Sequence, residues 1–446
     1  MTNHSPPSEV RESTGSSSLA QTPLLVAAVG FGLAVLGGTK GTVVVVVIGL
    51  AALGWSFKDR QQGREGSRDP RLLAVVVLFG LLGALGIPGF SLGPSTALLD
   101  RLPGLLWILL AVVAFFFSRM GRWFRITVAA AVLLLTAVIG VLHIQATEGV
   151  GLDVLFLHEQ AADAIAAGEN PYTDAVSVPN GSPTAEPGDV IEGYVYPPAT
   201  AIAYSLGEWA LDDPRYTSLA AWLALLAMIG ASALRTNSNR RLYLMLILAS
   251  LPGWPLVLRA AWTEPLSLAL IAAAFFIWRA PVKSGLALGL GLASKQYFAV
   301  AAPVLLLHRD SSRRSRAVVA LAVVTVVLGV GIAWDPAAFW SATVEFHATT
   351  PPRLDSANLV GILGLWDITW DPPTYLTIGI GLVVAIAAGS RSKSRQSFVL
   401  ALAAALGASF FVSSQAFSNY WFLIMGLMVL GLVDAVDDPA AEPRPV

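Results

Sequence analysis

Thirteen apolar runs follow one another along the chain, at 23–38, 42–57, 72–90, 104–118, 126–146, 215–234, 242–258, 265–278, 285–307, 317–334, 374–389, 397–413 and 420–433. Stretches of about 20 apolar residues are what crosses the hydrocarbon core of a bilayer as helix, so this recurrence limits the fold more severely than any motif. Several runs are shorter than that, and flanking residues must complete them. The composition agrees. Hydrophobic residues make up 55% of the chain and charged residues 13%, against roughly 45–50% and 25% in soluble domains. A single water-soluble globule is excluded, and so is intrinsic disorder, which needs low hydrophobicity and high net charge. The expected fold is an all-α polytopic membrane protein.

Residues 1–22 are rich in Ser, Thr and Pro and lack an apolar period, which predicts a disordered tail. No small-residue cleavage site follows a short apolar core, so this segment does not read as a signal peptide. The cysteine count is zero, which removes disulfides, thiolate metal sites and cysteine nucleophiles. A net charge of -1 gives no reason to expect nucleic acid as a partner.

Lys and Arg set the expected orientation, because cytoplasmic loops carry the excess. Six short connections, 58–71, 119–125, 235–241, 279–283, 308–316 and 391–395, hold 20 of the 28 Lys and Arg residues. The alternate connections hold only Lys40, Arg101, Arg215, Arg259 and Arg353, and nothing from 126 to 214 is Lys or Arg. The first set is therefore read as cytoplasmic. Parity then corrects two apolar pieces. The segment 197–211 must lie along the outer membrane surface, where Glu208 and Trp209 suit an interfacial helix. The run 285–307 is flanked by basic loops on both sides, so it must be a hairpin of two short helices turning at Lys295-Gln296. About twelve to fourteen crossings result, with both termini cytoplasmic. The organisation is an N-terminal tail at 1–22, extra membrane helices at 23–125, a core at 126–436 and a cytoplasmic tail at 437–446.

Two loops on the outer side, 147–196 and 335–372, are long enough to build a site. The first contains nine carboxylates. Within it, 153–167 (DVLFLHEQAADAIAA) has a helical pattern, ended by Gly168 and the following Asn170-Pro171. Asp153 heads this helix directly after a membrane span, at the depth of a lipid headgroup. It reads either as an N-cap or as a reactive carboxylate that also caps. His158 reads as a helix-surface residue or a substrate contact. Lys295 is a cation within an apolar run, where insertion costs about 2.5–3.5 kcal/mol, and it either snorkels or binds an anion. Arg259 and Arg353 are among the few outer cations that could meet a lipid phosphate or serve as anchors. Glu264 opens a helix, where a carboxylate complements the dipole or serves a site. The five histidines show no HxxxH spacing and no metal is expected; no P-loop, GxGxxG or GxSxG element stands in the required strand-to-helix context, and no cofactor is expected.

Asp153 before an Ala-rich helix, the run Ala166-Ala167-Gly168-Glu169-Asn170-Pro171-Tyr172, and then Tyr194-Val195-Tyr196-Pro197-Pro198 form one pattern. It resembles the first periplasmic loop of GT-C membrane glycosyltransferases, especially the bacterial polyprenyl-phosphomannose-dependent mannosyltransferases, glycosyltransferase family 87. The stretch 289–295 (GLGLASK) and the element Asn358-Leu359-Val360-Gly361 add to the likeness, which spans about residues 126–430. The family often has Tyr where His158 stands, and Gln415 to Trp421 replaces its late Trp-x-His-His.

The resemblance implies a GT-C-like helical bundle with outer-face amphipathic helices and an inverting transfer of a sugar, mannose first, from a polyprenyl phosphate to a glycan or glycolipid acceptor at the outer face. Asp153 would be the general base. His158, Tyr172, Tyr196, Arg259, Glu264, Lys295, Arg353 and Asn358 would contact substrates. Partners would be the polyprenyl-phosphate sugar, the acceptor and membrane lipid. The rival expectations are a transporter or flippase, a cell-envelope polysaccharide polymerase, and an assembly protein.

Overall fold

In the computed structural model, the described residues are 70–84, 97–117, 121–147, 153–173, 175–177, 190–251, 253–354, 356–364 and 366–433. The expected tails at 1–22 and 437–446, the apolar runs at 23–38 and 42–57, and most of the basic connection 58–71 lie outside them.

Almost all described segments are helical. Helices α1 (Pro70–Ala84) and α2 (Ala97–Phe116) pack together, ahead of α3 (Arg122–Gln145). Helix α4 (Asp153–Ala167) spans the residues its pattern marks out, and Gly168 after it takes the left-handed conformation (φ 74°) that a helix C-terminus favours. Two three-residue strands, β1 (Ala175–Ser177) and β2 (Val190–Glu192), then pair antiparallel. The sequence gives no sign of this sheet. Helix α5 (Pro198–Leu211) lies against α4 and leaves Ile202, Leu206, Trp209 and Leu211 exposed, the outward apolar edge that an interfacial helix presents.

Helix α6 (Arg215–Arg235) is unbroken, whereas the run 242–258 is not one helix. It divides into α7 (Asn239–Ala249) and α8 (Trp254–Arg259), with Gly253 at φ 88° between them. Backbone of that hand is open to glycine at no steric cost, and Pro255 in the first turn of α8 starts the new helix. Helix α9 (Glu264–Phe276) follows, then the hairpin: α10 (Pro281–Leu292), a turn at 293–295, a 3₁₀ turn (Gln296–Ala301) and α11 (Ala302–Leu307). Helix α12 (Arg313–Trp334) packs on α10 where Gly285 and Gly289 let backbone approach; a Cβ on Gly289 would stand 2.7 Å from the Ala320 carbonyl oxygen.

The segment 335–372 forms short helices rather than an open loop: α13 (Pro336–Trp340), a π turn (Ser341–Glu345), α14 (Phe346–Thr349) and α15 (Leu359–Gly364). Asp335 caps α13, its Oδ1 accepting from the Ala337 and Ala338 amides. Helices α16 (Thr374–Gly389), α17 (Arg395–Phe411) and α18 (Ser418–Val433) complete the chain. Helix α18 is buried on every side from Trp421 to Val433, apolar all round as a central helix must be.

By length and composition, three described helices can cross a membrane: α3 (extended to Ala146), α6 and α12. Six further apolar helical stretches among the described residues are shorter, at 10–17 residues. Helix α12 exposes Val318, Val326 and Ile332, and α16 exposes Val383 and Ile386. Such apolar faces are not left to water in stable monomers.

The described basic connections collect at one end. The Arg125 guanidinium bonds Asn237 and Asn239, Arg316 bonds Ser284 and the Trp278 carbonyl, and the Arg309 amide bonds the Ser392 carbonyl. Helices α6 and α9 start side by side at the other end, where Ser218 donates to the Trp262 carbonyl. Residues 190–200, 293–297, 347, 353–354 and 356–358 are at that other end.

Candidate functional site

Three separated segments meet around the Val195-Tyr196 backbone. Gln296 Nε2 and His347 Nε2 both donate to the Val195 carbonyl, at 3.3 and 3.2 Å, and the Tyr172 hydroxyl donates to the Tyr196 carbonyl at 3.0 Å. The Thr200 hydroxyl donates to the Ser294 carbonyl, which pins the start of α5 to the hairpin turn. The first loop, the hairpin and the second loop thereby form one wall.

The hairpin turn carries Lys295. Its Nζ lies 2.5 Å from Oε1 of Glu264, and both side chains are buried. The rings of Tyr196, Tyr297 and Tyr420 surround the ammonium at 5.3, 5.3 and 5.5 Å, within the range of cation–π attraction. The same Oε1 accepts from Asn419 Nδ2 at 3.0 Å and from the Tyr297 hydroxyl at 3.3 Å. Glu264 opens α9 as its pattern suggests, and its carboxylate is turned to the hairpin cation.

His158 stands beside this cage. Its Nε2 donates to the Ala261 carbonyl at 3.1 Å, so Nδ1 is the acceptor for the Tyr194 hydroxyl at 2.9 Å. The ring stacks on Tyr204 at 3.9 Å and lies nearly parallel to Tyr196 at 5.8 Å. Burial drives its pKa down to about 3, the Ala261 carbonyl opposing and the Lys295 charge assisting. His158 is a neutral pin between α4, α5 and the α8–α9 turn. Ala261 itself has φ 53°, a strained conformation for a residue with a Cβ, held in place beside the site. Burial similarly lowers His347 to about 4, with the Lys295 charge again lowering it and its bond to the Val195 carbonyl opposing.

Asp153 begins α4 and is half-buried, its Oδ1 accepting from the Val154 amide at 2.9 Å. Its charge bears on the Tyr196 phenol, whose pKa is raised by burial first and then by Asp153 and Glu264. Asp153 therefore borders the same cluster as the hairpin cation.

Of the residues the sequence singles out, His158, Tyr172, Tyr196, Glu264 and Lys295 come together and Asp153 adjoins them. Arg259 is buried at the end of α8, two residues before Ala261. Arg353 and Asn358 belong to a neighbouring seam. The Arg353 guanidinium lies 5.2 Å from the Phe417 ring, and Asn358 donates to the Phe410 and Ser413 carbonyls while accepting from the Val360 and Gly361 amides. That pattern makes Asn358 a fastener of the second loop onto α17. Asn419, Tyr297, Tyr420 and His347 enter the site without being singled out. A lone Asn at the start of an apolar helix was the available signal for Asn419. Among the described residues, no three His, Asp or Glu side chains converge as a metal ion requires.

No protein-family model, curated protein or solved structure matches this chain.

Proposed function

We propose that the chain is a multi-pass membrane glycosyltransferase of GT-C type, which moves a sugar, mannose first, from a polyprenyl phosphate to a glycan or glycolipid acceptor at the outer face of the cytoplasmic membrane. The observation that carries this reading is a buried lysine in a tyrosine cage, held by Glu264 and bordered by the half-exposed carboxylate of Asp153. The gathering of the basic connections at the opposite end supports the orientation, with that end cytoplasmic. The bare apolar faces of α12 and α16 support burial in lipid.

The chemistry is a single displacement. The acceptor hydroxyl oxygen bonds to the anomeric carbon from the face opposite the phosphate, and Asp153 takes its proton. The bond from the anomeric carbon to the phosphate oxygen breaks, and its electron pair leaves with the polyprenyl phosphate. Lys295 faces the negative charge that develops there. The surrounding tyrosines exclude water, which both strengthens that interaction and suppresses hydrolysis. Arg259 and Arg353 are further candidates for the phosphate, and Tyr172 and Tyr196 shape the wall.

A transporter is the second reading, favoured by one feature. A cation at a broken-helix hairpin, paired to a carboxylate, also suits alternating access around a buried site. Purified protein in lipid vesicles, supplied with polyprenyl-phosphate sugars and candidate acceptors, decides between them. Release of polyprenyl phosphate with glycosylated acceptor is the expected outcome, whereas sugar or lipid crossing the vesicle unchanged would overturn it.

A further inference from the structure

The Glu264 carboxylate is used unevenly. Oε1 takes three donors, from Lys295, Tyr297 and Asn419, while Oε2 takes none, although the side chain is 0% exposed. Asn419 is in the same condition. A carboxylate oxygen can only accept, so the amide nitrogen must face Glu264, which turns Oδ1 away, and that oxygen has no donor either. The hydroxyl oxygen of Thr263, adjacent in sequence to Glu264 and fully buried, is a third polar atom with no partner.

Buried acceptors are nearly always hydrogen-bonded, because leaving one unmet forfeits its hydration with nothing in return. Here Asn419 and Glu264 are joined by a hydrogen bond, and Thr263 is the residue before Glu264. The backbone carbonyls of the cluster do find donors, in His158, Tyr172, Tyr204 and Gln296, whereas Gln296 Oε1 is a further buried oxygen without one. The unmet acceptors therefore include the Glu264 oxygen that its lysine does not bond. A missing partner must bring O–H or N–H donors spaced to reach two acceptors at once. A cation is disfavoured by Lys295, which already stands 2.5 Å from the carboxylate. Neighbouring hydroxyls on a ring meet the requirement, and the Tyr196, Tyr297 and Tyr420 rings packed around Lys295 give the surroundings an aromatic lining.

We propose that Glu264, Asn419 and Thr263 form a hydroxyl-binding site for the sugar ring of the substrate, with Lys295 holding the Glu264 carboxylate in position from behind. This inference rests on the glycosyltransferase reading and adds to it the residues that sense the sugar. Because an acceptor pair built for hydroxyls is left unpaired by a ligand lacking them, such a site discriminates strongly.

The test is a binding comparison that needs no turnover. Protein in lipid nanodiscs is titrated with a short-chain polyprenyl phosphate and with its mannosyl, glucosyl and galactosyl esters. The expected result is that one ester binds at least tenfold tighter than the bare phosphate. Asn419→Leu and Thr263→Val should each reduce that advantage to below threefold while leaving affinity for the bare phosphate unchanged. Thr263→Val preserves shape, so it carries the test should Asn419→Leu fail to fold. An ester advantage that persists in the variants would overturn the proposal. Failure of every polyprenyl phosphate to bind, sugar-bearing or bare, would instead strike the underlying glycosyltransferase reading.

Discussion

Breaking the pair of Glu264 and Lys295 one partner at a time should give unequal and non-additive losses of stability. In Lys295→Met the carboxylate keeps only neutral donors, the Asn419 amide at 3.0 Å and the Tyr297 hydroxyl at 3.3 Å, and has no access to water. Leaving a buried charge uncompensated costs about 3–5 kcal/mol. In Glu264→Gln the ammonium keeps an amide oxygen to bond and three tyrosine faces at 5.3 to 5.5 Å. Its loss is closer to a charge-assisted hydrogen bond, about 1.5–3 kcal/mol. The double variant removes both charges and keeps side-chain volume, so it should be more stable than Lys295→Met alone. The coupling is expected near 2 kcal/mol, within the range for residues in direct contact. The assay is the apparent unfolding midpoint of the purified protein at fixed detergent and protein concentration, ranked across the four forms. A double variant less stable than either single one, with a shift equal to their sum, would refute the interaction that holds the hairpin.

Three further outcomes follow from other parts of the molecule. Asp153→Asn should lower transfer by about 10²–10⁴-fold, the contribution of a placed general base, with donor affinity and expression unchanged, because Asn can still accept from the Val154 amide; near-normal turnover would remove Asp153 as the base. Glu159 has its pKa raised to about 7, first by burial and then by the charges of Glu208 and Asp213. The native state thus holds a proton that the unfolded chain releases near pH 4.5, stability should fall as pH rises between these values, and Glu159→Gln should flatten that slope of the unfolding midpoint, an unchanged slope counting against the assignment. Arg316→Leu should destabilise the protein by about 3–5 kcal/mol, because Arg316 bonds Asp310 at 2.5 Å, Ser284 and the Trp278 carbonyl and stacks 3.6 Å over the Trp278 ring; a midpoint equal to wild type would show that the clasp at the basic end contributes nothing.

Local chemistry made part of this architecture readable and left part of it hidden. Helix α4 was legible because its apolar spacing, its leading Asp153 and its closing Gly168 are all within one short window. The hairpin at 293–295 was legible for a different reason: basic loops on both flanks of 285–307 leave an odd run no other path. The break of 242–258 into α7 and α8 was not read, although Gly253 and Pro255 stood in the run, because its hydropathy alone looks continuous. The sheet of β1 and β2 pairs segments too short for any pattern to emerge. The site was half legible. Lys295 and Glu264 each announce themselves as charges in apolar surroundings, but their pairing spans 31 residues and the bond from Asn419 spans 155. Neutral partners such as Asn419, Tyr297 and Tyr420 carry no such signal. They become functional candidates only when the fold brings them to a charge.

The short hairpin explains why the cation needs so elaborate a setting. Helix α10 has 12 residues, which at 1.5 Å each gives about 18 Å of rise. If its basic start is held at the cytoplasmic headgroups, as the clasp around Arg316 suggests, the turn at Lys295 falls short of the far side of a hydrocarbon layer about 30 Å thick. The ammonium at that depth lacks a route to bulk water through its own stem. Its charge must be met by protein, and Glu264 with three tyrosine rings meets it. A longer hairpin would have carried the lysine to the outer headgroups, where it could snorkel but would bind any lipid phosphate alike. Under the transferase reading proposed above, the shorter hairpin keeps this charge beside Asp153 at the start of α4 and away from the outer headgroups. Lengthening α10 by one helical turn of four residues, inserted after Leu292, should therefore abolish transfer and make the buried Lys295 newly accessible to amine-directed labelling from the outer side; an inserted variant that still transfers sugar would show that the depth of the lysine has no part in the reaction.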